Sequence, residues 1–311
     1  WPCLHAARKR FRKEVKPRVR DAMRNTVVFR AVGDRIGQPV YYFSDDFRAF
    51  FYQVKLAVHC LWFSGIYMYD PVSAMGVFIV ELVLAMGYSP SSNIAQMVCD
   101  AILYIFDNMM EEAETHACDT SDELLAWMAA RAAKFRHQPA QSRPWTSKGY
   151  TDDCLFTFLG LFRFVRGVCV WRRLLRTARI QGAKADKRQA GTWVLFLGVT
   201  LFATAVIASV PEHKLVRALL GLAQLVDGLL SKEATGRLLG LLVHLSFLSA
   251  TGRASTYGMW RCLRHGRSDP VLLFDDEVDK ARAWTLRLRT SHATAMDVAM
   301  RRRQRNRTPP A

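Results

Sequence analysis

Hydrophobic and polar positions fall into blocks of different period along the chain. A basic arm runs to about residue 40 and closes on the turn-forming GDRIGQP, and the aromatic run at 41–47, YYFSDDF, then predicts a strand. Residues 51–69 mix both patterns. From Ser89, SPSSNIAQMVCDAILYIFDNMMEEAE opens with Ser and Pro and repeats apolar residues at three-to-four spacing, which predicts a capped helix that fades into acids. DTSDELLAWMAARAAKF predicts a second capped amphipathic helix and RHQPAQSRPWTSKG a proline-containing loop, so 117–148 reads as a surface excursion. YTDDCLFTFLG predicts strand, turn and strand. In LFRFVRGVCVWRRLLRTARIQG, Arg163, Arg166, Arg173 and Arg176 recur at helical spacing opposite an apolar face. Residues 214–249 predict two helices, the second opened by a cap region at 231–234. The chain shows no internal repeat.

Two apolar runs raise a different architecture. Residues 192–210, TWVLFLGVTLFATAVIASV, carry no charge over the length a membrane helix needs, and 71–90 add PVSAMGVFIVELVLAMGYSP, interrupted by Glu81. A multi-pass membrane protein is therefore one reading of the whole chain. Against it, 192–210 is rich in β-branched residues and broken by Gly198, which suits two buried strands joined by a turn.

Composition narrows the partners. The 311 residues suffice for a large core in two or three subdomains. The net charge is +17, and between Arg8 and Arg35 eleven Lys or Arg face only Glu14, Asp21 and Asp34, while the chain ends in RRRQRNRTPPA. Such fields favour polyanions, either nucleic acid or an anionic membrane face. The seven cysteines (Cys3, Cys60, Cys99, Cys118, Cys154, Cys169 and Cys262) are widely spaced without a CxxC pair, and read as reduced and mostly buried. The chain opens on Trp and a basic stretch that lacks the apolar core of a signal peptide, which fits a fragment of a longer chain.

Two aspartate pairs carry the candidate chemistry. Asp45 and Asp46 lie in an aromatic run, and Asp152 and Asp153 follow about a hundred residues later. Either pair alone reads as ordinary turn chemistry. Two-metal phosphoryl transfer, however, needs carboxylates brought from separate strands to hold ions about 4 Å apart, and a hairpin turn is a good place to expose them.

The motifs around these pairs resemble those of reverse transcriptases. GYTDDCLF is similar to the Tyr-x-Asp-Asp hairpin of that family, and DFRAFFYQVKLA to its first catalytic strand, in a register that selects Asp46 over Asp45 and places Phe51 and Gln53 in the aromatic and Gln positions. MGYSPSSNIAQ resembles the opening of the template-positioning helix, with Gly87, Ser89, Pro90 and Gln96 matching; Ala85 stands where the family often has Pro. GAKADKRQAGTWVLFLGV resembles the lysine loop and primer-grip hairpin, here Lys187 and the Phe-Leu-Gly at 196–198. KPRVRDAMRN resembles the fingers segment with Lys16 and Arg18. Five motifs fall in the family's order over roughly residues 10–250. Beyond them, Lys214, Arg217 and Lys232 on apolar helices suit a surface that tracks a duplex backbone, as in the family's thumb.

The resemblance implies an α+β fold: a right-hand polymerase palm, an antiparallel sheet backed by helices, with partial fingers and a helical thumb-like region. It divides the chain into a basic arm with partial fingers at 1–40, fingers and palm at 41–210, a thumb-like region at 211–265, and a C-terminal helix with basic tail at 266–311. Residues 192–210 become a β-hairpin packed on the palm, and no membrane partner is expected. The implied activity is RNA-directed DNA synthesis with two Mg²⁺ ions, or Mn²⁺, on an RNA or DNA template with primer and dNTPs, in an intracellular setting, cytoplasmic or nuclear. Asp46, Asp152 and Asp153 would hold the metals, and Lys187 would protonate the leaving pyrophosphate. Lys16 and Arg18 would neutralise the triphosphate, and Phe51 would lie under the sugar. Gln53, Gly87, Gln96 and Tyr150 would contact substrate or template. The acids at 275, 276, 277 and 279 read instead as a solvated helix start, so no RNase H site is assigned. The alternatives are a decayed or truncated retroelement-derived nucleic-acid-binding protein, and the membrane protein above.

Overall fold

The computed structural model describes residues 16–59, 61, 65–86, 91–117, 120–248, 252–266, 268–290 and 293–295. Gly87, Ser89, Pro90, Cys3, Cys60, Cys118 and the C-terminal basic tail lie outside the described residues. The chain is a mixed helix and sheet protein with antiparallel sheets, divided into two compact units: residues 1–18 with 32–191, and residues 19–31 with 192–311.

The first unit centres on strand β1 (Val40–Asp46), which continues from helix α1 (Val19–Ile36) through a tight connection. After β1 come a short helix α2 (Phe50–Gln53) and an exposed hairpin of β2 (Gly65–Asp70) and β3 (Met75–Val80). Helix α3 (Ser91–Thr115) places Ala95, Cys99, Ile102, Leu103, Phe106 and Met110 on one buried face, at the spacing the sequence shows. Helix α4 (Asp122–Lys134) is capped by Ser121, whose hydroxyl accepts from the Leu124 amide, and buries only Leu124. Strands β4 (Trp145–Tyr150) and β5 (Asp153–Leu159) form a hairpin, and helix α5 (Leu161–Thr177) returns from it to β6 (Gln189–Gly191). The sheet order is β4-β5-β1-β6. Strand β5 is buried on both faces from Cys154 to Leu159, and the sheet continues on both of its edges. Its Phe156 packs against Phe106 (ring centroids 4.7 Å) and Trp171 (4.8 Å), joining β5, α3 and α5 in one aromatic core.

Two expectations for this unit are corrected. Residues 145–148 are not part of a surface loop: they form most of β4, and Trp145 is buried with its indole N–H donating to Asp107. Ser, Lys and Gly in WTSKGY are poor strand formers, so pairing with β5 rather than propensity makes the strand. Gly149 is required there, since a Cβ would lie 2.2 Å from Cys99 Sγ on α3. Arg163 is not on a solvated face either. It is 1% exposed, donates to Glu114 Oε2 at 2.9 Å, and shares that carboxylate with Arg166; Arg173 and Arg176 are exposed as expected.

The second unit holds strands β7 (Trp193–Phe196), β8 (Val199–Phe202), β9 (Ile207–Ser209) and β10 (Ala293–Ala295), in the order β10-β9-β8-β7. Residues 192–210 are therefore three short strands and not a helix. Leu197 and Gly198, both at positive φ, make the turn of the first hairpin. Among the described residues no helix is long and apolar enough to cross a membrane. Helices α6 (Glu212–Val226), α7 (Lys232–His244), α8 (Gly252–His265) and α9 (Asp275–Thr290) enclose a core that includes Leu222, Leu239, Leu242, Ala281, Trp284 and Leu288. Ser231 caps α7 through the Ala234 amide. The unit boundary at 191 differs from the expected one at 210, because β7–β9 build their own sheet with β10. Residues 266–290 likewise belong to this helical core. Glu277 departs from the solvated helix start: it is 3% exposed and paired with Lys280 at 2.7 Å. Lys214 is half-buried against the Gly198 turn, and burial together with Arg217 holds its ammonium below the usual lysine range; Arg217 is exposed.

Candidate active site

The site is built where three backbones meet at one end of the first sheet. Strand β1 runs antiparallel to β5 in a register that sets Asp46 opposite Asp153, and side chains directly opposite lie about 5 Å apart at Cβ. The β4–β5 hairpin pairs Tyr150 with Asp153, so Thr151 and Asp152 form its two-residue turn. Thr151 takes φ 60°, which a β-branched residue adopts only when its surroundings impose it. Gln96 supplies that constraint. Its buried amide accepts from the Thr151 N–H (2.9 Å) and donates to the Gly149 carbonyl (2.9 Å) and to Asp100 (2.8 Å). On the other side the Phe47 N–H donates to the Asp152 carbonyl at 3.1 Å, which ties the turn to the end of β1.

Strand alternation sends Asp45 and Asp46 to opposite faces. Asp45 is 3% exposed and accepts from Trp171 Nε1 (2.9 Å), Arg188 Nε (3.1 Å) and the Asp46 N–H (3.0 Å), so it is a structural anchor under α5. Asp46 faces the carboxylate cluster. One of its oxygens lies 3.8 Å from Lys187 Nζ, while Oδ1 is buried without a hydrogen-bond partner. Burial, then the neighbouring Asp152 charge, raises the Asp46 carboxyl above its ordinary range, with Lys187 opposing. Burial, Asp152 and Asp46 push Asp153 up to about 6. The three carboxylates thus form one electrostatic cluster that repels itself and would be relieved by cations.

Other expected site residues take distinct places. Lys16 reaches the hairpin turn, donating to Ser92 Oγ (2.7 Å) and Thr151 Oγ1 (3.1 Å), with its ammonium 4.9 Å from the Tyr150 ring centroid. Arg18 is exposed two residues further on. Phe51 is half-buried against the first core. Gln53 does not point into the cluster: its amide donates to the Arg48 and Gln181 carbonyls and accepts from the Gln181 N–H, locking two backbone segments together. Gln96 is equally committed to backbone and so positions the turn. The sequence reading missed Trp171, Arg188 and Thr151. Strand alternation in β1, which buries one aspartate of the pair, was the available signal for a partner such as Trp171.

Two consequences are measurable. Gln96→Ala strands the Thr151 N–H and the Gly149 carbonyl in a buried setting, so about 2 kcal/mol of stability and the hydrogen-exchange protection of the Thr151 amide are expected to be lost; unchanged protection would contradict the clamp. For Asp153 the folded carboxyl sits above its unfolded value, so between about pH 4 and about 6 the folded state holds a proton that the unfolded chain releases, and stability falls as pH rises through that window. Asp153→Asn is therefore expected to stabilise the protein at pH 8 by about 1 kcal/mol, after allowing for solvent screening of a partly exposed group, and to give no gain at pH 4 in urea unfolding. Destabilisation at pH 8 would show that the charge is favourable.

Among the described residues no three His, Cys, Asp or Glu side chains stand arranged to hold a metal ion without adjustment. The donor chemistry nonetheless fits hard divalent cations: oxygen ligands only, mutual repulsion, and a buried Asp46 oxygen with no protein partner.

No protein-family model matches the chain, and no curated protein matches it. Among solved structures it is similar to a foamy viral protease-reverse transcriptase in complex with double-stranded DNA (TM-score 0.50, 11% identity), over 83% of this chain and 36% of that one. It is also similar to a foamy viral protease-reverse transcriptase in complex with an RNA/DNA hybrid (TM-score 0.50, 12% identity), over 81% of this chain and 27% of that one. The chain thus spans about a third of the length of these neighbours. At such identity the likeness is one of fold, and what the chain has in common with them is a reverse-transcriptase-like fold.

Proposed function

We propose that the chain is a retroelement-type reverse transcriptase domain, in which the first unit acts as the palm and adds dNTPs to a primer 3′-hydroxyl. The observation that carries this reading is the register that sets Asp46 opposite Asp153, beside the Thr151–Asp152 turn. The reverse-transcriptase-like fold supports it. Mg²⁺ ions, or Mn²⁺, held by Asp46, Asp152 and Asp153 would lower the pKa of the primer hydroxyl and neutralise charge on the transferring phosphate.

The chain's own groups complete the chemistry. Lys187, exposed and 3.8 Å from Asp46, gives a proton to the pyrophosphate leaving group in this reading. Lys16 is held beside the turn by Ser92 and Thr151 and neutralises the triphosphate, with Arg18 beyond it. Phe51, fixed against the core, lies under the sugar and excludes a 2′-hydroxyl by volume. Gln96 and Tyr150 set the turn that carries Asp152, and Gln53 holds the backbone after β1. The template lies along α3, and Lys214, Arg217 and Lys232 of the second unit meet the duplex backbone.

The test is primer extension on an RNA template with Mg²⁺. Incorporation that depends on Asp46 supports the proposal. Salt-dependent oligonucleotide binding without extension supports the nucleic-acid-binding alternative instead.

A further inference from the structure

The end of α5 carries charge that the carboxylate cluster does not use. Arg172 and Arg176 project from its last turns and Arg179 follows just beyond, all exposed. With Gln181, Gly182 and Arg188 they line an open cleft of ≈ 560 Å³. Among the described residues Arg188 has Asp45 as its carboxylate partner, and none of Arg172, Arg176 and Arg179 has a carboxylate within 4 Å. An unpaired cation at a helix C-terminus is ordinary, because the helix dipole favours it. Three guanidinium groups converging with a fourth on one cleft exceed what the dipole requires, and their mutual repulsion is relieved by an anion.

The geometry selects the kind of anion. The row from Arg172 to Arg179 spans on the order of 10 Å, long enough to meet more than one phosphate of a nucleic-acid strand. One small anion needs no such length. Guanidinium forks suit phosphate oxygens in bidentate geometry, whereas the absence of a lysine from the lining makes a diffuse point-charge surface a poorer description. Arg188 lines the cleft and pairs with Asp45, which points to the opposite face of β1 from Asp46. The cleft therefore opens on the far side of the strand from the carboxylate cluster.

We propose that this cleft is a second nucleic-acid site that grips the phosphates of a single strand, separate from the carboxylate cluster. It goes beyond the polymerase reading and does not depend on it, because binding needs neither divalent metal nor nucleotide.

The test measures fluorescence anisotropy of a short labelled oligodeoxythymidylate with the full chain, in EDTA and across a salt series. Replacing Arg172, Arg176 and Arg179 by alanine is expected to lower the slope of log affinity against log salt by about 2, and affinity by about tenfold or more near 0.1 M salt. Replacing Arg282, Arg287 and Arg289, exposed on α9, removes the same charge elsewhere and is expected to change the slope by less than half as much. Arg176→Glu alone is expected to weaken binding severalfold. Equal losses in the two triple variants, or an unaffected Arg176→Glu, would overturn the assignment. So would displacement of the oligonucleotide by inorganic pyrophosphate at equal phosphate, which would reassign the cleft to free polyphosphate. Loss of binding to phosphatidylserine vesicles with oligonucleotide binding intact would reassign it to a membrane face and overturn it as well. Asp46→Asn is expected to leave this slope unchanged while abolishing extension, so the two proposals can fail separately.

Discussion

Primer extension on an RNA template is expected to fall by about 10³-fold or more when Asp152 and Asp153 are replaced together by alanine. Metal-assisted charge neutralisation supplies several kcal/mol to phosphoryl transfer, and each 1.36 kcal/mol is a factor of ten in rate. The loss is expected without unfolding, because burial and then repulsion within the cluster raise both Asp153 and Asp46, and removing buried like charges relieves both. A second readout separates metal holding from folding. Mg²⁺ is expected to raise the melting temperature of the unaltered protein and to have little effect on the double variant, since an ion that binds only the folded state stabilises it by mass action. Extension at the original rate by the double variant would end the polymerase reading. A chain that binds oligonucleotides but never extends them would point to the decayed, binding-only alternative.

The parts of this site that were legible in the sequence are those with a local signature. Tyr-Thr-Asp-Asp between apolar residues announces a turn, and the aromatic alternation of 41–47 announces a strand; in the fold, Asp46 and Asp153 stand opposite one another. Helices with a serine cap and three-to-four spacing, α4 and α7, were legible for the same reason. Features that depend on distant partners were not. Glu114 lies 49 residues from Arg163, and nothing near Arg163 distinguishes an arginine aimed into the interior from one aimed at water. The strand WTSKGY is imposed by β5, against the propensity of its own residues. Gln53 and Gln96 stood out by position, but an amide serves a ligand and a backbone equally well, and only the fold shows both engaged with main chain. The run at 192–210 shows the limit of composition alone. Its length suggested a bilayer, yet its β-branched residues and Gly198 belong to short strands closed by a positive-φ turn.

The largest stability effect is expected at the aspartate that the motif register passed over. Asp45→Ala removes the acceptor of Trp171 Nε1, leaves the Arg188 guanidinium without its carboxylate, and frees the Asp46 N–H, all next to a buried aromatic core. Removing one partner of a buried ion pair typically costs about 3–5 kcal/mol, and with Arg188 30% exposed the lower end of that range applies. Asp45→Asn keeps an acceptor for Trp171 and is expected to cost less, about 1–2 kcal/mol. The adjacent Asp46→Asn is expected to be neutral or stabilising, because Asp46 is held above its ordinary range by burial and by Asp152. Urea unfolding at pH 7 measures all three, and the order is the test. One residue of the pair should then govern the fold and the other the chemistry, since a strand alternates its side chains and only one of two neighbours can face the cluster. A wild-type unfolding midpoint for Asp45→Ala would show that the Trp171 and Arg188 contacts do not hold this end of β1.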